Sequence, residues 1–180
     1  MARFYSRFLL VISLVLIAAS GLAADSTCKM LADANAKIYA IPAHIYSTET
    51  AAHTGGKPRS SELIYFNNTT YIQINGKWTI SPATPKRMAD MHKDAENKHP
   101  NATCRAVRDE LVNGEAATLY SMHEDTADAK VDSQIWISKS RGLPVKFETD
   151  MDAGGAGGKT HRAMRYEYTN VQAPAGAQSR

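Results

Sequence analysis

The sequence predicts an α+β protein: one antiparallel sheet of roughly nine strands, apolar on one face, with two helices to cover that face. Three observations carry this. From residue 40 onward most segments are rich in β-branched and aromatic residues, and the later ones alternate apolar and polar with period two. Turn signals at Asn75-Gly76, Asn113-Gly114 and 140–142 separate runs close enough to pair antiparallel. Two stretches, 26–37 and 84–98, break the pattern with helical composition and spacing.

The chain opens on a leader. Arg3 and Arg7 form a basic start, residues 8–19 (FLLVISLVLIAA) are apolar and uncharged, and Gly21 and Ala23 place small residues for cleavage after Ala23. A spanning helix needs roughly 20 apolar residues, so residues 1–23 read as a signal peptide. The expected location is the periplasm, with secretion beyond it as the alternative. Cleavage leaves 157 residues, 180 less 23, which suits a single domain with its own core. The net charge of +3 falls to +1, because two of the 21 basic residues leave and all 18 acidic ones stay. The remaining basic residues are scattered, which argues against nucleic-acid binding.

The first helix, 26–37, takes Ser26 as its N-cap. Cys28 within it and Cys104 are the two cysteines, and in an exported chain they pair most simply as one disulfide. Asp25, Ser26 and Thr27 precede Cys28, where a lipidation site needs small and aliphatic residues, so no stable membrane anchor is expected. Strands follow at 40–50, 61–67, 69–74 and 77–80, the last two joined by Asn75-Gly76. The second helix, 84–98, has Thr84 as N-cap, Pro85 at its first position, and Met88, Met91 and Ala95 on one face; His99-Pro100 ends it.

Five more strands are expected at 102–112, 115–123, 130–139, 143–152 and 159–171. Val131, Ile135 and Ile137, then Val145, Phe147 and Met151, then Met164, Tyr166 and Tyr168 share one face by alternation. The other face carries Asp132, Gln134, Lys146, Glu148, Asp150, Arg165 and Glu167 and is expected to be wet. The domain runs over 24–171, and the tail, 172–180, is Ala-, Pro-, Gly- and Ser-rich and reads as disordered.

Helix, meandering strands, helix and five further strands resemble the periplasmic lipoprotein-carrier superfamily, the LolA/LolB-like half-barrels. The residues that carry the resemblance are Gly76-Lys77-Trp78-Thr79, then Ile135-Trp136-Ile137-Ser138 through Gly142-Leu143-Pro144-Val145, and Tyr166-Glu167-Tyr168 with Asn170-Val171. The resemblance implies a curved sheet, a half-barrel, that holds both helices in its concave face. Carriers of this kind place an arginine on an early strand inside the cavity; no arginine lies between residues 30 and 57 here.

The resulting expectation is a monomeric, non-enzymatic binder of a hydrophobic small molecule, a lipid or the acyl part of a lipoprotein. Its lining would be Ile135, Ile137, Phe147, Met164 and Tyr166 from the sheet, with Met88 and Met91 from the second helix. The alternative is a non-enzymatic envelope interaction or structural protein with a filled core, since methionines also serve as core fillers. No cofactor or metal is expected. His92 and His99 are two helical turns apart, and His44, His53, His123 and His161 form no ligand spacing. Asp150-Met151-Asp152 lacks the later positions of a calcium loop. No Gly-x-Ser-x-Gly occurs, and Glu148 and Glu167, the pair of carboxylates that could sit across from each other, lie on the wet side as surface charges. Asn67, Asn68 and Asn101 lie in sequons. Trp136 has the parity of the polar face, so it is either exposed for a partner or packed beneath another segment.

Overall fold

The computed structural model describes residues 20–52, 55–98, 102–155 and 158–179; the leader up to residue 19, His53, His99 and Asn101 lie outside them, as do the side chains of residues 20–25 and 95–98. Two meanders build the sheet. The first is β1 (Ala43–Ala51), β2 (Arg59–Phe66), β3 (Thr69–Ile74) and β4 (Lys77–Ile80). The second is β5 (Thr103–Val112), β6 (Glu115–Asp125), β7 (Lys130–Ser138), β8 (Pro144–Asp152) and β9 (Lys159–Glu167). Their tight turns are made by Asn67-Asn68, Asn75-Gly76 and Asn113-Gly114, all at positive φ, the geometry that matches the twist of hairpin strands.

The meanders join where β1 pairs antiparallel with β9, from His44 opposite Glu167 to Ala51 opposite Thr160. Nine antiparallel strands result, in the order β4-β3-β2-β1-β9-β8-β7-β6-β5, forming a curved open sheet of the α+β half-barrel type. The predicted strands agree with these to within a few residues. The tail differs: a short strand β10 (Gln178–Ser179) pairs parallel with β4 and makes the tenth strand. Composition pointed to disorder there, but the open edge of β4 offers backbone donors and acceptors that the segment satisfies.

Helix α1 spans Ser20–Ala36, starting before the predicted Ser26 because Leu22, Ala23 and Ala24 are good helix formers. A 3-10 turn, Lys37–Ala40, leads from it into β1. Cys28 and Cys104 form the disulfide, with Cα atoms 5.2 Å apart, and tie α1 to the β5 edge. Helix α2 (Pro85–Lys98) begins as expected, the Arg87 amide donating to the Thr84 hydroxyl at 3.3 Å. It connects β4 to β5, strands at opposite ends of the antiparallel set, so this connection must cross the sheet. Its principal contacts are with the 3-10 turn and, more lightly, with α1.

Directly paired residues of antiparallel strands share a face, and the core divides accordingly. On the helix-bearing face, Leu31 and Ala34 of α1 pack with Cys104 and Ile137, and Ile38 of the 3-10 turn packs with Ala43, Ile45, Tyr65 and Tyr166. On the other face a smaller cluster joins Ala117, Leu119, Trp136 and Val145. Val145 corrects the alternation: it was expected beside Phe147 but lies with Trp136. The ladder passes from Lys146 opposite Trp136 to Pro144 opposite Ile137, leaving Val145 as the extra residue of a bulge, which reverses its side.

Candidate functional site

The helix-covered face is the candidate. Across it the register runs Cys104 and Met122, Tyr120 and Ile135, Phe147 and Met164, then Tyr166, Ile45 and Leu63. Five predicted lining residues therefore stand on one face. Ile137 and Tyr166 are buried, at 6% and 8% exposure, whereas Ile135, Phe147 and Met164 are only partly buried. They fall into two groups: Ile135 and Ile137 under α1, and Phe147, Met164 and Tyr166 around the 3-10 turn. Met88 on α2 is half-buried and Met91 is 56% exposed, and neither belongs to either cluster.

Tyr39, Leu63 and Tyr65, which complete the second cluster, and Tyr120, which borders the first, went unnoticed in the sequence; Met30 and Met122 also border the first. The alternation of Leu63 and Tyr65 within 61–67 was a usable signal. The tyrosines keep their protons: burial raises Tyr65, with Tyr39 and Tyr166 adding to it, and burial likewise raises Tyr166, with Tyr168 and Tyr39 adding. The tyrosine cluster is thus uncharged, while further along the same face of β1 and β9 Glu49 and Arg162 pair with each other. The rings of Tyr39 and Tyr65 meet at 5.4 Å. Where α2 meets α1, the Asn35 amide lies 2.6 Å from His92 Nε2 and Tyr39 lies 6.2 Å from the His92 ring.

The opposite face is charged, as its alternation predicted. A groove of about 440 Å³ is lined there by Arg105, Ser121, Asp132, Gln134, Glu148 and Asp150, among others. A second of similar volume lies beside Val112, Glu115, Arg141 and Tyr168, and neither is lined by a residue of α1 or α2. The charges pair locally: His123 with Asp132 and His161 with Asp150, both at 2.8 Å, and Lys146 with Glu148 at 2.9 Å. Glu148 and Glu167 do not face each other; Glu148 lies opposite Ala163 and Glu167 opposite His44.

Along the β1–β9 junction, Glu62 and Tyr46 flank His44 at 2.8 and 3.1 Å, Tyr46 donates to Glu167 at 3.0 Å, and the Arg165 guanidinium covers the Tyr46 ring at 3.9 Å. Burial pushes the Glu167 carboxyl up, but hydrogen bonds from Arg165 and Tyr46 outweigh it and hold the group below the usual range. Trp136 is 3% exposed, its indole N–H donating to Glu110 and the Lys146 ammonium 4.2 Å above its ring; it packs against its own sheet. Among the described residues no three His, Cys, Asp or Glu converge on a metal position, and no helix is long and apolar enough to cross a membrane.

No family model matches the chain, and no curated protein matches it. Solved structures similar to it include the lipoprotein LppX of Mycobacterium tuberculosis, at 11% identity and a TM-score of 0.45 over 85% of this chain and 100% of that one. LprF from Mycobacterium bovis is similar at 10% identity and a TM-score of 0.44, over 84% and 97% of the two chains. A LolA superfamily protein from Nitrosomonas europaea follows at 8% and 0.31, over 80% and 91%. By the order of its own elements, an open, curved antiparallel sheet of nine strands with two helices, the chain has the α+β half-barrel fold.

Proposed function

We propose that this protein is exported and binds a hydrophobic ligand, a lipid or the acyl chain of a lipoprotein, on the helix-covered face, without performing chemistry on it. One observation supports the reading above others. Around the two buried clusters stand Tyr39, Leu63, Phe147, Met164 and Tyr168, and Met30, Tyr120, Met122 and Ile135, large apolar side chains that are only partly buried. A filled core buries such side chains at near-crystalline density; here the cover over them is incomplete, since α2 rests on the 3-10 turn and α1. Methionines suit chains of variable shape because the thioether is unbranched and flexible. Binding would draw on apolar area removed from water, at roughly 25 cal/mol per Å².

The test uses purified mature protein. A fluorescent fatty acid should bind saturably, be displaced by unlabelled phospholipid, and lose affinity in Phe147→Ala. Native mass spectrometry of protein prepared from cells should show bound lipid. Absence of both retained lipid and saturable uptake leaves the filled-core alternative.

A further inference from the structure

Among the described residues, one long edge strand of the sheet has no strand beyond it. β4 takes β10, but among the described residues no strand pairs with the outer side of β5, ten residues long. Two of the exposed large apolar side chains lie on it: Val107, 46% exposed, and Leu111, 73% exposed. Its charges are unequally satisfied. Arg108 pairs with Glu110 at 2.7 Å and Asp109 with Lys139 at 2.5 Å, while Arg105 donates to the Ser121 hydroxyl, at 3.1 Å, and pairs with no carboxylate among the described residues.

We propose that β5 is a self-association edge at which a second copy of this chain adds antiparallel, extending the sheet through a two-fold axis. Side-chain parity and charge select the register. The bulge between Ala106 and Arg108 leaves Arg105, Arg108 and Glu110 on the polar face and Cys104, Ala106, Asp109 and Leu111 on the helix-bearing face. Paired residues must share a face. Setting Arg105 opposite the partner's Glu110 satisfies this at every position from 103 to 112 outside the bulge, whose two copies meet at the axis. A slip of two residues sets Arg105 against Arg108 in one direction; in the other it sets Arg105 against the uncharged Val112 and Arg108 against Asp109, which lie on different faces. A slip of one sets Arg105 against Asp109 or Leu111 on the wrong face. In the chosen register each Arg105 gains a carboxylate, and Leu111 comes beside Cys104 and the flank of α1. Opposite charges facing across strands favour pairing, and like charges oppose it. A bulge also blunts an edge, so the ladder forms in two four-residue stretches and the dimer is of the weak class. The sequence alone suggested a monomer; the exposed edge points to a reversible pair.

Sedimentation equilibrium of the mature protein tests this. The wild type should dimerise with rising concentration, and Arg105→Glu and Glu110→Lys should each weaken it at least about tenfold. An equimolar mixture of the two variants should recover the dimer, because both cross-strand pairs then carry opposite charges. Leu111→Lys should also dissociate it, with circular dichroism confirming that each variant folds. A wild type monomeric at all concentrations, whatever else docks on the edge, overturns the proposal. So does undiminished dimerisation of Arg105→Glu or Leu111→Lys, which decide the matter even if Glu110→Lys does not fold. With both variants folded by circular dichroism, a mixture that stays monomeric overturns it too.

Discussion

Trp136 is the largest side chain buried on the polar face, and its surroundings explain why it stays there. Leu119, Ala117 and Val145 pack around it, Lys146 covers the ring, and Glu110 accepts the indole proton. Trp136→Ala should therefore lower stability by about 3–5 kcal/mol in urea denaturation; a loss under about 1 kcal/mol would mean that the ring is not packed. Glu167 carries a pH prediction. Its carboxyl is held below its ordinary value, so it favours the folded state above the unfolded carboxylate range near 4.3, and that contribution fades as pH falls through the lower folded value. Glu167→Gln should then reduce the melting temperature at neutral pH and flatten the acid limb of the stability profile. With its side chain 43% exposed, solvent screening limits the effect to less than about 1 kcal/mol. Melts from pH 3 to 7 check this, and an unchanged acid limb would refute it. Residue sidedness was legible wherever strands run straight. Val145 was misplaced because parity counting cannot see an inserted residue, and Trp136 was ambiguous because neighbours on three strands decide whether it is covered.

Among the elements, α1 is held by more than packing. Its disulfide to β5 closes a loop across 76 positions, and on a chain-entropy view the bond contributes up to about 4 kcal/mol. Cys28→Ser with Cys104→Ser should cost a large part of that in chemical denaturation, while reduction of a Cys-less control changes nothing. The tail gives a gentler case. Deleting 172–180 should speed hydrogen exchange at the Ile80 amide, which faces the freed edge of β4, but not at the Thr79 amide, which faces β3, leaving the melting temperature within a few degrees. Unchanged exchange at Ile80 would mean that β10 does not protect the edge. Helix α2 and the hairpins were readable because Thr84, Pro85 and the Asn-Gly pairs act within a few residues of themselves. The tail was not, because a two-residue parallel strand owes its existence to a partner edge about a hundred residues earlier.

At the scale of the molecule, the β1–β9 pairing decides where the helix-covered face, the proposed binding face, lies. It places the first strand at the centre of the sheet and brings Ile45 and Leu63 beside Tyr166 and Phe147. Phe147→Ala should accordingly weaken binding of a fluorescent fatty acid about tenfold, roughly 1.4 kcal/mol, with the fold retained by circular dichroism; equal affinity would move the site elsewhere. The sequence by itself determined the strands and helices, the turns between them, the polarity of the two faces and the partner of each cysteine. These rest on local periodicity, on positive φ at Asn and Gly, and on there being two cysteines in the chain. The three-dimensional arrangement added that the two meanders close through β1 and β9, that Val145 turns to Trp136, that the tail takes the edge of β4, and that α2 rests on the 3-10 turn and α1. Each of those depends on contacts between distant segments, such as Arg162 to Glu49 across 113 positions, which no local pattern encodes.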